Sequence, residues 1–272
     1  MLLTSAQRTS TAGLLSEAAA RRGMDVLVLS GPRGLDEAAG RPVHWYGGPR
    51  TADRVAARLG LGLLEPPDAW LARLPREFTG RKVELTTLAA ARAARGPVFV
   101  KPPSDKSFPA AVYGHGARLP RSGEGIGPHT PVLVSEVVMF AVEYRLFVLE
   151  GRITAGSRYA AHGRLDVAAL DRDPHERAVR GFAGRLLAAA GDSLPSAVTL
   201  DVGLVRDPDT GRERWAAVEA NMAWFSHSYA AEADAVLDVV LRAAGPRALV
   251  APADRGFLRP AAGAPPVRAA RC

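Results

Sequence analysis

The segment Val218-Glu219-Ala220-Asn221 follows Leu200-Asp201-Val202-Gly203 across a turn-rich stretch, Asp207-Pro208-Asp209-Thr210-Gly211. Two apolar runs around turn residues predict a β-hairpin. Glu219 and Asn221 stand two apart, so on a strand they project from one face, and Asp201 on the paired strand can meet them. Two carboxylates and an amide oxygen form an all-oxygen set that suits Mg²⁺, which prefers hard ligands and keeps positions for water and phosphate oxygens. The same residues are equally at home as the solvated face of an ordinary hairpin.

Composition narrows the classes. The 272 residues are 47% hydrophobic and 23% charged, which suits a soluble globular chain with ample core material. No apolar run approaches the roughly 20 residues of a membrane span, and the start, Met1-Leu2-Leu3-Thr4-Ser5, lacks the pattern of a secretory signal. The single cysteine, Cys272, excludes an internal disulfide and a thiolate zinc site. A cytoplasmic protein without a membrane partner is expected. The net charge of +7 comes from arginines scattered through Ala/Gly-rich segments, with only 6% aromatic residues and no dense basic run. We read it as compositional bias with a preference for anionic ligands such as nucleotides, and expect no nucleic-acid partner.

Along the chain, strands and helices alternate first: a strand over residues 1–5, a helix ending at Gly23, a buried strand over 24–30 and another over 43–46. Thr51 is the expected N-cap of a helix carrying Val55 and Leu59 and closed by Gly60. Such βαβ alternation argues for a small parallel sheet. A connector from Pro66 to Gly80 follows. Thr86 or Thr87 then caps a short alanine-rich helix, and a strand Val98–Lys101 runs into a loop over 102–116. The segment 121–128 is another loop, and strands are expected over 132–138 and 143–149. In the latter, Glu143, Arg145 and Phe147 share one face, with Tyr144, Leu146 and Val148 on the other. Glu150-Gly151 turns the chain into a strand from 153 to 159. Asp173-Pro174 opens a helix with the stripe Val179, Phe182, Ala183, Leu186 and Leu187, and Ser228 is the expected cap of a helix ending before Gly245-Pro246. The Pro/Ala/Gly/Arg-rich tail from 259 is expected to be loose.

Single residues are ambiguous: Lys101 can be a strand-end lysine, and Glu143 with Arg145 a surface ion pair of little worth. Their order is more telling. A lysine precedes a short helix, a strand ends in Val100-Lys101-Pro102, Glu136 and Glu143 stand seven apart, and Asp201 and Val218-Glu219-Ala220-Asn221 close the series. This succession, over roughly residues 80 to 245, resembles the ATP-grasp superfamily. The resemblance implies an α/β (α+β) fold: a small N-terminal α/β domain over 1–78, a small subdomain over 79–139 and a larger one over 140–258, with ATP clamped between antiparallel sheets. It implies ATP and Mg²⁺ as cofactors. Lys82 would be the earlier phosphate lysine, with Arg81 its neighbour in contention, and Lys101 would reach the α-phosphate. Glu136 would open the adenine hinge, with the Val137 carbonyl and Met139 N–H reading the base edge, and Glu143 would take the ribose hydroxyls. Asp201, Glu219 and Asn221 would hold the metal. Arg145 and Arg158 would face the transferring phosphoryl group. The glycine-rich loop usual after the Val-Lys-Pro strand is replaced by Asp105-Lys106-Ser107-Phe108, which leaves Lys106 to neutralise phosphate.

The activity so implied is ligation of a small carboxylate to an amine, such as an amino acid or short peptide, through an acyl-phosphate. A phosphotransferase and a nucleotide-binding module without turnover are the alternatives, and a homodimer is one assembly the resemblance allows. P-loop, kinase, dinucleotide-binding, serine-elbow and zinc-helix motifs do not occur. Of the dispersed histidines only His227 lies close to the hairpin, and a structural role is expected for it.

Overall fold

Thr9 ends an extended segment and its hydroxyl accepts from the Ala12 N–H, which starts the first helix one residue later. The computed structural model describes residues 1–104, 107–121, 123, 126–206 and 210–260. Strand β1 (Leu2–Ser5), helix α1 (Ser10–Arg21), strand β2 (Val26–Leu29), helix α2 (Pro32–Ala38), strand β3 (His44–Tyr46) and helix α3 (Pro49–Val55) build a three-stranded parallel sheet in the order β2-β1-β3. Thr51 falls inside α3, whose cap is Gly48 with Pro49 in the first turn; proline's fixed φ starts the helix two residues before the expected threonine. Strand β4 (Leu61–Leu63) follows. The expected connector holds two single-turn helices, α4 (Trp70–Arg73) and α5 (Arg76–Thr79), because Trp70, Leu71 and Phe78 have an apolar surface to cover.

Next come β5 (Val83–Thr87), α6 (Leu88–Ala91), β6 (Val98–Lys101), β7 (Ala111–Tyr113) and β8 (Pro131–Ser135). They form a four-stranded antiparallel sheet, β5-β8-β6-β7. Thr87 caps α6, its hydroxyl accepting from Ala90 N–H. Residues 111–113, expected in a loop, pair with β6, and the strand expected over 132–138 ends at Ser135.

The third unit contains β9 (Phe140–Leu149), β10 (Arg152–Ala161), β11 (Arg164–Ala169), α7 (Glu176–Ala190), β12 (Ala197–Arg206), β13 (Glu213–Asn221), α8 (Ala233–Ala243) and β14 (Ala244–Pro246). Its sheet is antiparallel in the order β11-β10-β9-β12-β13, and β14 pairs with β4. Glu150 and Gly151, at φ 50° and 70°, make the two-residue turn between β9 and β10. Helix α7 starts two residues later than Asp173-Pro174 implies, and the Asp173 carboxylate accepts from His175 N–H just ahead of it. Helix α8 is capped by Glu232, not Ser228, which bonds Thr11 instead. Among the described residues no helix is long and apolar enough to cross a membrane. Lys106, the turn at 207–209 and the tail from 261 lie outside the described residues.

Two cores sandwich the five-stranded sheet. On one face Tyr144, Leu146, Val148 and Val202 pack against Val179, Phe182, Ala183 and Leu186 of α7. On the other, at one end only, Phe147 and Ala197 join Trp224, Val236, Val240 and the parallel sheet. The rest of that second face carries polar side chains. There β12 runs close to β9: a Cβ on Gly203 would stand 2.5 Å from the Phe140 ring and 3.0 Å from the Val142 carbonyl. Gly203→Ala is therefore expected to lower stability by about 2 kcal/mol through overpacking, measured by chemical denaturation; an unchanged midpoint would contradict the close approach.

Candidate functional site

Three strands bring one residue each into a single row. Arg145 on β9 pairs with Asp201 on β12, and Asp201 with Glu219 on β13. Strand alternation alone would not achieve this. Ala217 opposes Val202 on the α7 face, so an unbroken strand would carry Glu219 to that same face. Val218 is an extra residue between the Asp201–Glu219 and Val202–Ala217 pairs, a bulge that turns Glu219 and Asn221 to the side of Asp201. The buried Arg81 guanidinium donates to the bulge carbonyls, at 2.9 Å to Ala217 and 3.3 Å to Val218, and lies 5.4 Å from the Phe140 ring centroid. Burial pulls the Arg81 pKa down to about 10, opposed by the charges of Glu219 and Glu143.

Asp201 is almost fully buried. It accepts two hydrogen bonds from Arg145, 2.9 Å from Nε and 2.7 Å from Nη2. Burial opposes the Arg145 charge, but Asp201 outweighs it and raises the guanidinium pKa. Lys101, at the end of β6, reaches across from the four-stranded sheet and pairs with Glu219. Asn221 Nδ2 donates to Glu219 Oε1 at 2.8 Å and lies 3.5 Å from Asp201 Oδ2. Burial favours the neutral form of Glu219, yet Lys101, then Asn221 and Arg145, hold its pKa at about 2.

A second bulge, at Tyr159, flanks the first site row on β10. The Tyr159 hydroxyl donates to Glu143 Oε2 at 2.8 Å. Its ring stacks on Tyr229, centroids 5.3 Å apart, and the Arg145 guanidinium lies 5.6 and 5.4 Å from the two rings. Tyr229 holds a left-handed φ of 51°, a strained conformation of the kind that gathers at functional sites. Burial raises the Glu143 pKa, opposed by the Tyr159 bond and reinforced by Asp201 and Glu219. Neither tyrosine is detectable from sequence, because Tyr159 has the wrong parity and Tyr229 lies beyond the hairpin.

The other expected residues divide. Glu136 accepts from the Lys82 N–H at 2.8 Å and from Arg76 at 3.1 Å, where the chain passes from β8 to β9. In that link Val137 and Met139 are exposed, and among the described residues no protein group bonds the Val137 carbonyl or the Met139 N–H. Lys82 is not in the cluster: its ammonium is exposed and paired with Glu84 at 2.6 Å, while its neighbour Arg81 turns inward. Arg158 is also elsewhere. It opposes Tyr144, so it faces α7 and pairs with the buried Asp173 at 2.9 Å and with Asp166 at 3.3 Å. Lys106 lies outside the described residues. His227 borders the site, with Nδ1 3.4 Å from the Thr11 hydroxyl. A cavity of about 710 Å³ opens from Arg145, Glu219 and Asn221 to α3 and the His227–Tyr229 segment, within the range of small-molecule sites.

Among the described residues no three His, Cys, Asp or Glu side chains gather as a ready metal cage. The donors at the hairpin are instead two carboxylates and one amide. That set fits a hard cation sharing its shell with phosphate oxygens and water, provided the Asn221 amide turns to present its oxygen.

Comparison with known folds identifies this architecture as the ATP-grasp fold. The chain is similar to D-alanine–D-alanine ligase from Bacillus anthracis at 11% identity, covering 89% of this chain and 95% of that one, with a TM-score of 0.52. It is similar to N5-carboxyaminoimidazole synthetase from Staphylococcus aureus at 10% identity, 88% and 76% coverage and a TM-score of 0.51. A RimK-domain ATP-grasp protein from Sphaerobacter thermophilus aligns at 19% identity, 89% and 100% coverage and a TM-score of 0.44. At such identities the likeness is one of fold. No curated protein matches the chain by sequence. A family model for the ATP-grasp domain, the second family of its clade, matches residues 78–239, and the chain belongs to that family.

The Lys101–Glu219 pair yields a prediction with a definite sign. The folded-state Glu219 pKa of about 2 lies below its ordinary 4.5, so the pair stabilises the fold above the ordinary value and loses that contribution as pH falls toward 2. Lys101→Met is expected to cost about 3 kcal/mol at neutral pH by stranding a buried carboxylate. The deficit should narrow on acidification through that window. A deficit independent of pH in denaturant titrations would rule the coupling out.

Proposed function

We propose that this chain is a cytoplasmic, ATP- and Mg²⁺-dependent ligase that joins a small carboxylate to an amine, an amino acid or short peptide, with release of ADP and phosphate. The observation that carries the reading is the row Arg145, Asp201, Glu219, with Asn221 beside it and Lys101 supplied by the opposing sheet. Membership of an ATP-grasp family and the fold shared with a D-alanine–D-alanine ligase support it.

In this reading the adenine edge meets the Val137 carbonyl and Met139 N–H beside Glu136, and Glu143 accepts from the ribose hydroxyls. Asp201, Glu219 and Asn221 hold Mg²⁺, which when bound offsets phosphate charge. Lys101 leaves Glu219 for the phosphates as the metal takes over that carboxylate. Arg145 spends two of its five N–H donors on Asp201 and keeps the others for the reacting oxygens. The substrate carboxylate oxygen attacks the γ-phosphorus, and the bond to the β–γ bridging oxygen breaks, giving ADP and an acyl-phosphate. The amine nitrogen then adds to the acyl carbon, phosphate departs, and the nitrogen proton passes to solvent. Positioning and charge neutralisation supply the catalysis, so no side-chain nucleophile is required.

Calorimetry should find ATP affinity that depends on Mg²⁺ and falls at least about tenfold in Glu219→Ala. No Mg-dependent affinity in the native protein, or an unaltered variant, refutes the reading. Product analysis separates ligation from phosphorylation, because only a ligase yields an amide.

Tyr159→Phe tests the role of Glu143. The bond from Tyr159 holds the Glu143 pKa down against burial, so its loss raises that pKa further. ATP affinity should therefore fall at a higher pH on acidification than in the native protein. Superimposable profiles between roughly pH 5 and 8 would exclude this contribution.

A further inference from the structure

The cavity that meets Arg145, Glu219 and Asn221 at one end is walled at the other by Gln7, Arg50, Thr51 and Arg54. Most charges along it are matched. Arg145 is bound to Asp201, Lys101 to Glu219, and Arg259 to Asp53 and Glu65. Arg50 and Arg54 differ: among the described residues neither forms an ion pair, and Arg54 only approaches the Thr51 hydroxyl at 3.4 Å. They stand four apart on α3, one above the other on a single face, where two like charges repel each other. An anion between them removes that repulsion, and a guanidinium's planar donors match a carboxylate's two oxygens. Arg54, Thr51, Gln7 and Gly48 also border a second hollow of about 410 Å³. It lies beyond the carboxyl ends of β1 and β2, the edge where open parallel sheets take ligands.

We infer that Arg50 and Arg54 form an anion subsite and that the acid substrate is a dicarboxylate: one carboxylate reacts beside Arg145, the other docks on these two arginines. The inference rests on the ligase reading and narrows its substrate class.

Calorimetry of the full chain with succinate, glutarate, adipate and pimelate, each against its monoamide, tests it. At least one diacid should bind about tenfold tighter than its monoamide, and added salt should shrink the difference. In Arg54→Gln and in Arg50→Gln/Arg54→Gln the preference should fall to within about twofold, with monoamide affinity held. Both side chains are exposed, and the single variant keeps the test available should the double one not fold. Equal binding of diacid and monoamide, no binding of any acid, or a preference that survives in the variants overturns the inference. Discrimination of alanine from alaninamide without any among the diacids overturns it as well, assigning the arginines to the amine. Mg-ATP binding by the native protein, measured in the same series, distinguishes this failure from failure of the ligase reading.

Discussion

A carboxylate buried in the middle strand of a five-stranded sheet sets the terms for everything around it. Asp201 sits on β12, nearly every residue of which is covered on both faces. An unpaired charge in that place would be prohibitively costly. Arg145 on the neighbouring strand meets the need in a bidentate pair, and two tyrosine rings then cover the guanidinium. Glu219 adds a second carboxylate beside the first, which in turn requires Lys101 from the opposing sheet. Thus the polar row fixes how the two antiparallel sheets approach each other, not only what lies between them.

The sheet faces two demands that strict alternation cannot reconcile. Its α7 side has to be apolar over its whole length, while its other side has to be apolar under α8 and polar elsewhere. The bulge at Val218 resolves this on β13 by changing parity after Ala217, so that an apolar run and a polar pair each face the proper way. The carbonyls it exposes are satisfied by Arg81, which explains why that arginine is buried while Lys82 next to it points to solvent. On β10 the bulge at Tyr159 does the reverse. Arg158 stays with α7 and Asp173, and a tyrosine is delivered to Glu143.

The parallel sheet is joined to the site through shared core instead of through polar contacts. Trp224 and α8 pack against both the parallel strands and the end of the five-stranded sheet, and the Trp224 indole donates to the Leu64 carbonyl. Arg259 ties α3 and Glu65 to the C-terminal segment. These contacts hold α3 as the far wall of the cavity, so its arginines and the metal-binding candidates address one space.

Much of this could be read directly from the chain. The βαβ start, the strand ending at Lys101, the two faces of Glu143 to Val148 and the Asp201–Asn221 hairpin follow from local periodicity and turn chemistry, which act over a few residues. Cap positions misled where a rival partner lay far off in sequence: Ser228 is taken by Thr11, and Glu232 starts the helix. Lys82 and Arg158 misled for a related reason. A bulge or a one-residue shift moves a side chain to the opposite face without altering composition or spacing. Sequence alone determined which elements form and which polar residues the hairpin brings near one another. Tertiary structure decided which face each of those residues takes, since that depends on how extra residues are absorbed when two sheets and two helices bury their apolar surfaces together.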